Sequence, residues 1–295
     1  MFVIKNKKIF VIISAVLVLL SLTFVGFYGL NLGIDFKGGS LTEVEFKTVR
    51  PDQKVIEGEI KSLPIGEIIV QPIGSTGYSI KTRALDDKER SSIMTALGAD
   101  ATEKSFTSIG PSVGAELVRK SIISFILVSL GIILFIAFSF RKVSKPVSSW
   151  KYGLIAIITL IHDILIPVGV FAILSHIYGV EVDTLFVVAI LTILGLSVSD
   201  TIVVFDRIRE NIRVGHFKTF EETVGRSLDQ VYTRSIITSS TVIIVLLTLV
   251  AFGPASTRVF AMMLTAGMFF GTYSSIFLAS PLLVMVNNTQ GKKNK

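Results

Sequence analysis

Six long, largely apolar runs decide what this chain can fold into. They cover Ile9 to about Leu30 and then roughly 119–140, 151–174, 184–206, 233–252 and 257–287. A helix rising ~1.5 Å per residue crosses a hydrocarbon core of ~30 Å in about twenty residues. In lipid every backbone N–H and C=O must be bonded internally, so runs of this kind are helices. The expected fold is a polytopic α-helical membrane protein with six transmembrane helices. The 51% hydrophobic composition agrees, and the absence of cysteine excludes a disulfide framework, thiolate catalysis and Cys-based zinc or iron–sulfur sites. The formal charge of +7 does not point to nucleic acid, because Lys and Arg mostly flank the apolar runs.

The opening Met1–Lys8, with Lys5, Lys7 and Lys8, shares the basic start of a secretory signal. Its apolar stretch exceeds about twenty residues and no small-x-small site follows, so it reads as an uncleaved first span. Flanking cations then set the orientation. Arg141, Lys142, Lys145 and Lys151 mark one loop, Arg207, Arg209, Arg213, Lys218 and Arg226 another, and Lys292, Lys293 and Lys295 the tail. Ser175–Asp183 and Phe252–Thr257 carry none. Despite Arg119, Lys120 and Arg258, this places both termini in the cytoplasm.

Between the first two spans the chain reads as a soluble α+β domain. Leu41–Phe46 alternates apolar and polar residues as a half-buried strand does. Pro51–Leu63 reads as a helix with Pro51 in its first turn. Gly66–Ile73 and Tyr78–Leu85 read as strands across the turn Gly74–Gly77, and Asp86–Leu97 as a helix capped by Asp86 or Asp87 with Gly98 past its end. Ala101–Ile109 closes the series. The order βαββαβ predicts an extracytoplasmic ferredoxin-like domain. The expected division is 1–30 for the cytoplasmic N-terminus and first span, 31–118 for this domain, and 119–295 for a five-helix transmembrane domain. Within the last, 207–232 forms a cytoplasmic loop with amphipathic character at Ile208, Ile212, Phe217, Phe220, Val224 and Leu228.

Charge inside the spans is where function is expected. Asp200 lies roughly 9 Å before the charged exit that starts at Asp206, at ~1.5 Å per residue. An ionised carboxylate at that depth needs a partner, a water-filled cavity or a proton. Asp200, Val203, Val204 and Arg207 share one helical face. Arg234 opens the fifth span and reads either as a snorkelling cation or as the partner of Asp200 across neighbouring helices. His162 and Asp163, adjacent in the third span, suit proton handling or helix pairing. His176 and His216 read as solvated. Gly267 and Gly271, spaced GxxxG, suit close helix packing, and Thr238–Thr241 interhelical hydrogen bonding. Gly33–Ser40 departs from a phosphate-binding loop, since Gly39 stands where its Lys belongs; it reads as tight turns joining span to domain. Gly110–Leu117 reads as a linker or a hinge. No metal cluster, nucleophile–base pair or aromatic cofactor box stands out, which disfavours an enzyme and implies no cofactor.

Taken together, several motifs resemble the SecD/SecF family of bacterial protein-export membrane subunits, which is related to transporters of the resistance–nodulation–division type. They are Gly33–Ile34–Asp35–Phe36–Lys37–Gly38–Gly39, Ile109–Gly110–Pro111–Ser112–Val113–Gly114, the run from Asp200 to Asn211 with Asp206 and Arg207 inside it, and Gly271–Thr272–Tyr273–Ser274–Ser275–Ile276. The resemblance spans nearly the whole chain. It implies a subunit of the bacterial cytoplasmic membrane that, with SecD, uses the proton-motive force to promote late preprotein translocation. Implied partners are SecD, the SecYEG channel, SecA, YajC, the translocating preprotein and membrane lipid. It implies that Asp200 and Arg234 belong to a proton pathway completed by a SecD carboxylate. Two readings compete with it: a small-molecule or lipid exporter of the same superfamily, and a Sec assembly scaffold that conducts nothing. The coupling ion, proton or sodium, is left open. Departures from the family pattern fall at Ser199 (usually Asn), Leu196 (commonly Tyr), Ser235 (Thr) and Ile237 (Asn).

Overall fold

The computed structural model of the chain describes residues 2–139, 149–215 and 217–293. The flanking cations Arg141, Lys142, Lys145 and Lys295, and His216, lie outside these residues. Among those described, six helices are long and apolar enough to cross a membrane: Lys7–Tyr28, Pro111–Ile136, Trp150–Tyr178, Thr184–Val214, Phe220–Phe252 and Ser256–Asn287. The chain divides into two compact units, one of Met1–Asn31 with Ser124–Lys295 and one of Leu32–Ile123.

The smaller unit starts with a one-turn helix, α3 (Ile34–Lys37), after the helices α1 (Phe2–Lys5) and α2 (Lys7–Tyr28) of the other unit. Then come β1 (Gly39–Phe46), α4 (Gln53–Lys61), β2 (Ile69–Ile73), β3 (Gly77–Thr82), α5 (Asp87–Ala96) and β4 (Ala101–Ile109). The sheet order is β2-β3-β1-β4 with every neighbour antiparallel, the split βαβ arrangement of a ferredoxin-like domain. Its core follows the expected periods. Val44 and Phe46 lie two apart on β1, Ile56 and Ile60 four apart on α4, and all are buried with Ile80 and Ile93. The α5 start is a capping box: Asp86 accepts from the Glu89 N–H at 2.8 Å, and the Glu89 side chain accepts from the Asp86 N–H at 3.1 Å.

Three local expectations need correction. Pro51 precedes the α4 cap rather than sitting in its first turn; Asp52 is the cap, accepting from the Lys54 N–H at 2.9 Å. The segment 33–40 is not a set of turns only, because α3 occupies its middle. Nor is 110–117 a free linker: α6 (Pro111–Ser139) starts one residue after β4, with proline at its first position where no N–H is needed. A Cβ on Gly114 would stand 2.8 Å from the Phe36 carbonyl oxygen, and one on Gly38 3.0 Å from Pro111 backbone atoms. The two glycine motifs therefore pack backbone to backbone, and Gly38 additionally holds a φ of +79°.

Two carboxylates on this unit are held by exposed ion pairs. Lys104 holds the Glu45 carboxyl below the usual carboxylate range, and Arg83 does the same for Glu89. A carboxyl whose value is depressed in the folded state stabilises above its unfolded value, and that contribution fades as pH falls through the folded one. Tm is therefore expected to fall on acidification below the ordinary carboxylate range, and Arg83→Gln to flatten this dependence. Thermal unfolding followed across pH in detergent checks both.

The larger unit continues with α7 (Ser149–Tyr178), α8 (Thr184–Val214), α9 (Phe220–Phe252) and α10 (Ala255–Ser274), which passes through a π turn, Ser275–Ala279, into α11 (Ser280–Lys293). The stretch 207–232 is mostly helix, formed by extensions of α8 and α9 around the left-handed Gly215 and the Thr219 cap. Of its apolar residues, Ile208, Val224, Leu228 and Val231 are buried in the helix core, and Ile212 and Phe220 pack against it partly buried. Gly267 and Gly271 do pack α10 onto α8, where added Cβ atoms would meet Ile193 and Ser197. His176 is in the last turn of α7, its ring exposed at one side but stacked on Tyr28 with centroids 4.2 Å apart.

Candidate functional site

The larger unit gathers its polar side chains in the middle of its helices. Asp163 on α7 is completely buried, and its carboxylate is fully engaged. Oδ1 faces the Nδ1 of His162 at 2.8 Å, while Oδ2 accepts from Ser274 at 2.7 Å and from Ser197. Pro167, four residues on in α7, carries no N–H to bond the Asp163 carbonyl, so the backbone is loosened beside this carboxylate. The His162 ring lies over Tyr273, and its buried Nε2 has no hydrogen-bond partner. The Tyr273 hydroxyl reaches back to α2, 3.4 Å from the Ser14 hydroxyl.

Asp200 on α8 is held from the other side. Its Oδ1 accepts from Ser235 on α9 at 2.7 Å, and its Oδ2 is buried without a partner. One residue along α8, Thr201 shares a 2.9 Å hydrogen bond with Ser275 of the π turn. Ser275 also lies beside the Asp200 carboxylate. Farther along α9, Thr272 donates to Ser239 at 2.5 Å. Four helices and a π turn thus bring two carboxylates, one imidazole and a set of hydroxyls together in surroundings that are otherwise apolar.

Of the two readings of Arg234, this geometry sets Ser235 and not Arg234 against Asp200. Adjacent helical residues point about 100° apart. The α9 face against α8 carries Ser227, Val231, Ser235 and Ser239, all buried, so Ser235 meets Asp200 and the neighbouring Arg234 is exposed. On α8 the buried stripe likewise runs through Ser197, Thr201, Val204, Ile208 and Asn211, with Asp200 at its edge. Of Thr238–Thr241, Ser239 bonds across helices, whereas Thr241 bonds back to Thr238 within α9. Among the departures from the family pattern, Ser199 and Leu196 are exposed while Ser235 touches Asp200 directly.

The other motif residues serve the helix ends and the smaller unit. Arg207 donates to Gln230 at 2.7 Å and to Glu210 at 2.5 Å, and Asn211 donates to Gln230 and to Ser227, both at 2.8 Å. Asp206 pairs with Arg209 at 3.7 Å. Asp35 lies in the first turn of α3, and Gly38, Gly39, Gly110, Pro111 and Gly114 form the close backbone junction described above. Sequence reasoning singled out the two carboxylates and the imidazole; Thr201, Ser235, Ser274 and Ser275 entered it only as members of motifs or departures, and Ser197 not at all. The available signal was spacing: Ser197 and Thr201 flank Asp200 on one stripe, and Ser235 follows Arg234.

Comparison with known proteins gives a consistent result. Residues 89–289 match the C-terminal region of protein export membrane proteins SecD/SecF, and residues 23–48 match the SecD/SecF GG motif. A protein translocase subunit SecF from Thermobaculum terrenum is 41% identical over 97% of this chain and 94% of its own length. One from Anaerolinea thermophila is 36% identical over 96% and 93%. Among solved structures, SecDF from Thermus thermophilus, a translocon-associated membrane protein, superposes with a TM-score of 0.82 at 29% identity. The match covers 97% of this chain but only 38% of SecDF.

Proposed function

The chain belongs to the SecD/SecF family of protein-export membrane proteins as a SecF-type translocase subunit, and on that premise we propose that it works with SecD to drive late preprotein translocation by the proton-motive force. Relatives are named as translocase subunits, a transport component and not an enzyme. The observation that carries the mechanism is Asp200, bonded to Ser235 through one oxygen and left with a buried, unpartnered second oxygen at mid-span. A carboxylate so placed is costly when charged and readily neutralised by a proton. Arg234, exposed on α9, offers its guanidinium to a carboxylate of SecD, so the proton pathway is completed only in the complex.

In this account the chain is a multi-pass protein of the bacterial cytoplasmic membrane with both termini inside and the ferredoxin-like domain outside. Proton uptake and release at Asp200 alternates the packing of α8, α9 and the π turn, and the outer domain carries that motion to the emerging preprotein. SecYEG, SecA and YajC are the neighbours this role requires.

Complementation tests the reading. In bacterial cells depleted of their own SecD and SecF, this chain expressed with its own SecD is expected to restore preprotein export in a pulse-chase, and to lose that effect when an uncoupler collapses the gradient. Export that stays defective while efflux of small molecules or lipids changes would favour the exporter alternative. Restoration indifferent to the uncoupler would favour the scaffold.

A further inference from the structure

The reading above uses Asp200 and leaves a second carboxylate, more deeply buried, without a task. We propose that Asp163 and Asp200 act as a coupled pair that together hold one proton, with the hydroxyls of Ser274 and Ser275 on the α10–π-turn step each turning between its own carboxylate and the Gly271 carbonyl as the proton changes place. The proposal rests on Asp200 being the titrating group of the proposed function and extends the site to a second station.

The bonding around the two carboxylates is unequal. Asp163 receives bonds on both oxygens, from His162 on one and from Ser197 and Ser274 on the other. That is how a buried anion is satisfied. Asp200 receives one bond from Ser235, and its other oxygen has none. That second oxygen lies beside the hydroxyl of Ser275 and is the open position at which a proton can be taken up. Two carboxylates sharing one buried network cannot both ionise cheaply, so a proton leaving Asp200 favours uptake at Asp163.

The serines supply the two-way element. Adjacent on the helix, they face different neighbours: Ser274 serves Asp163 on α7 and Ser275 serves Thr201 on α8. Each also lies 3.0 Å from the same fallback acceptor, the Gly271 carbonyl. When a carboxyl is newly protonated, the Ser274 or Ser275 hydroxyl it releases therefore has a bond waiting. The π turn begins at Ser275, and the Ser280 hydroxyl bonds the Ser275 carbonyl at 3.4 Å across it. Such turns are local, easily shifted departures from the α ladder, which suits a hinge at this step.

The titratable groups that face Asp163 are few. Among the described residues they are His162 from its own helix, Asp200 from α8 and Tyr273 from α10; α2, packed along α7, presents Ser14 and Ser21. The Nδ1 of His162 faces Asp163 at 2.8 Å, and the His162 side chain borders an apolar groove of about 430 Å³ lined from α2, α7, the π turn and α11. His162 is thus a positioning residue for the anionic form of Asp163.

Infrared spectra of the complex with SecD in lipid, recorded across pH for wild type, Asp163→Asn, Asp200→Asn and Ser275→Ala, read the pair directly. Wild type is expected to show a buried carboxyl band that titrates in two steps beyond any that SecD contributes, and either Asn variant one step fewer. Asp163→Asn is expected to slow export by about tenfold or more and to change its pH profile. Should Asp163→Asn fail to assemble, Ser275→Ala keeps both carboxyls and must still alter that profile. A wild-type band and profile in Asp163→Asn, or in Ser275→Ala where the Asn variant does not assemble, overturns the coupling. Normal export by Asp200→Asn would instead overturn the proposed function, while the two-step band would still stand or fall on the Asp163→Asn spectrum.

Discussion

Asp200→Asn is expected to slow preprotein export by about a hundredfold at the gradient-driven step while leaving the protein folded and bound to SecD. Asparagine has nearly the size of aspartate and keeps a carbonyl oxygen to accept from Ser235, the bond that ties α8 to α9 at 2.7 Å. What it loses is the ability to take up and release a proton. The side-chain amide also places an N–H₂ where Oδ2 now sits unpartnered, beside Ser275, whose hydroxyl oxygen can accept from it. Packing and assembly are therefore preserved while the charge cycle stops. A pulse-chase of export, with membrane levels and SecD co-purification as controls, separates the outcomes. Export at the wild-type rate would mean that the chain holds the translocase together without moving protons.

The largest structural effect is expected at Gly267. Its Cβ would stand 2.2 Å from Ile193 Cγ1, and Ile193 is 1% exposed, so its β-branched side chain has nowhere to swing. Gly267→Ala must therefore push α10 away from α8, at a cost of roughly 1–3 kcal/mol for overpacking. The displacement would reach the site, because Gly271 lies one turn on and packs against Ser197, which bonds Asp163. Ile193→Ala in the same chain removes the obstructing atoms and is expected to recover most of the loss, a coupling that a double-mutant cycle in detergent thermal unfolding would measure. Additive losses in the double variant would show that the α8–α10 contact is not set by this pair.

Much of the architecture is legible in the chain because single-residue physics governs it. The spans follow from the cost of unbonded backbone in lipid, and the βαββαβ order from turn glycines, the Asp86 cap and alternation along Leu41–Phe46. Helix length was less legible. The charges from Asp206 to Arg213 read as the end of a span, but a helix tolerates charge on its outer face, and α8 runs on to Val214 with Ile208 still buried. The site was half legible. Intramembrane Asp163, His162 and Asp200 announce themselves by their cost. Their partners do not, since Ser197, Ser235 and Ser274 are small residues that occur throughout membrane helices. Which of Arg234 and Ser235 meets Asp200 depends on the rotation of α9, which tertiary packing sets and a sequence pattern does not.

Proton flux through the assembled pair tests the central claim most directly. The chain and its SecD, reconstituted in liposomes with a pH-sensitive dye inside, would be exposed to an imposed proton gradient with and without a translocating preprotein. The account predicts a flux that rises when preprotein is engaged and vanishes in Asp200→Asn. Equal flux in wild type and variant, or a flux of sodium in place of protons, would contradict it.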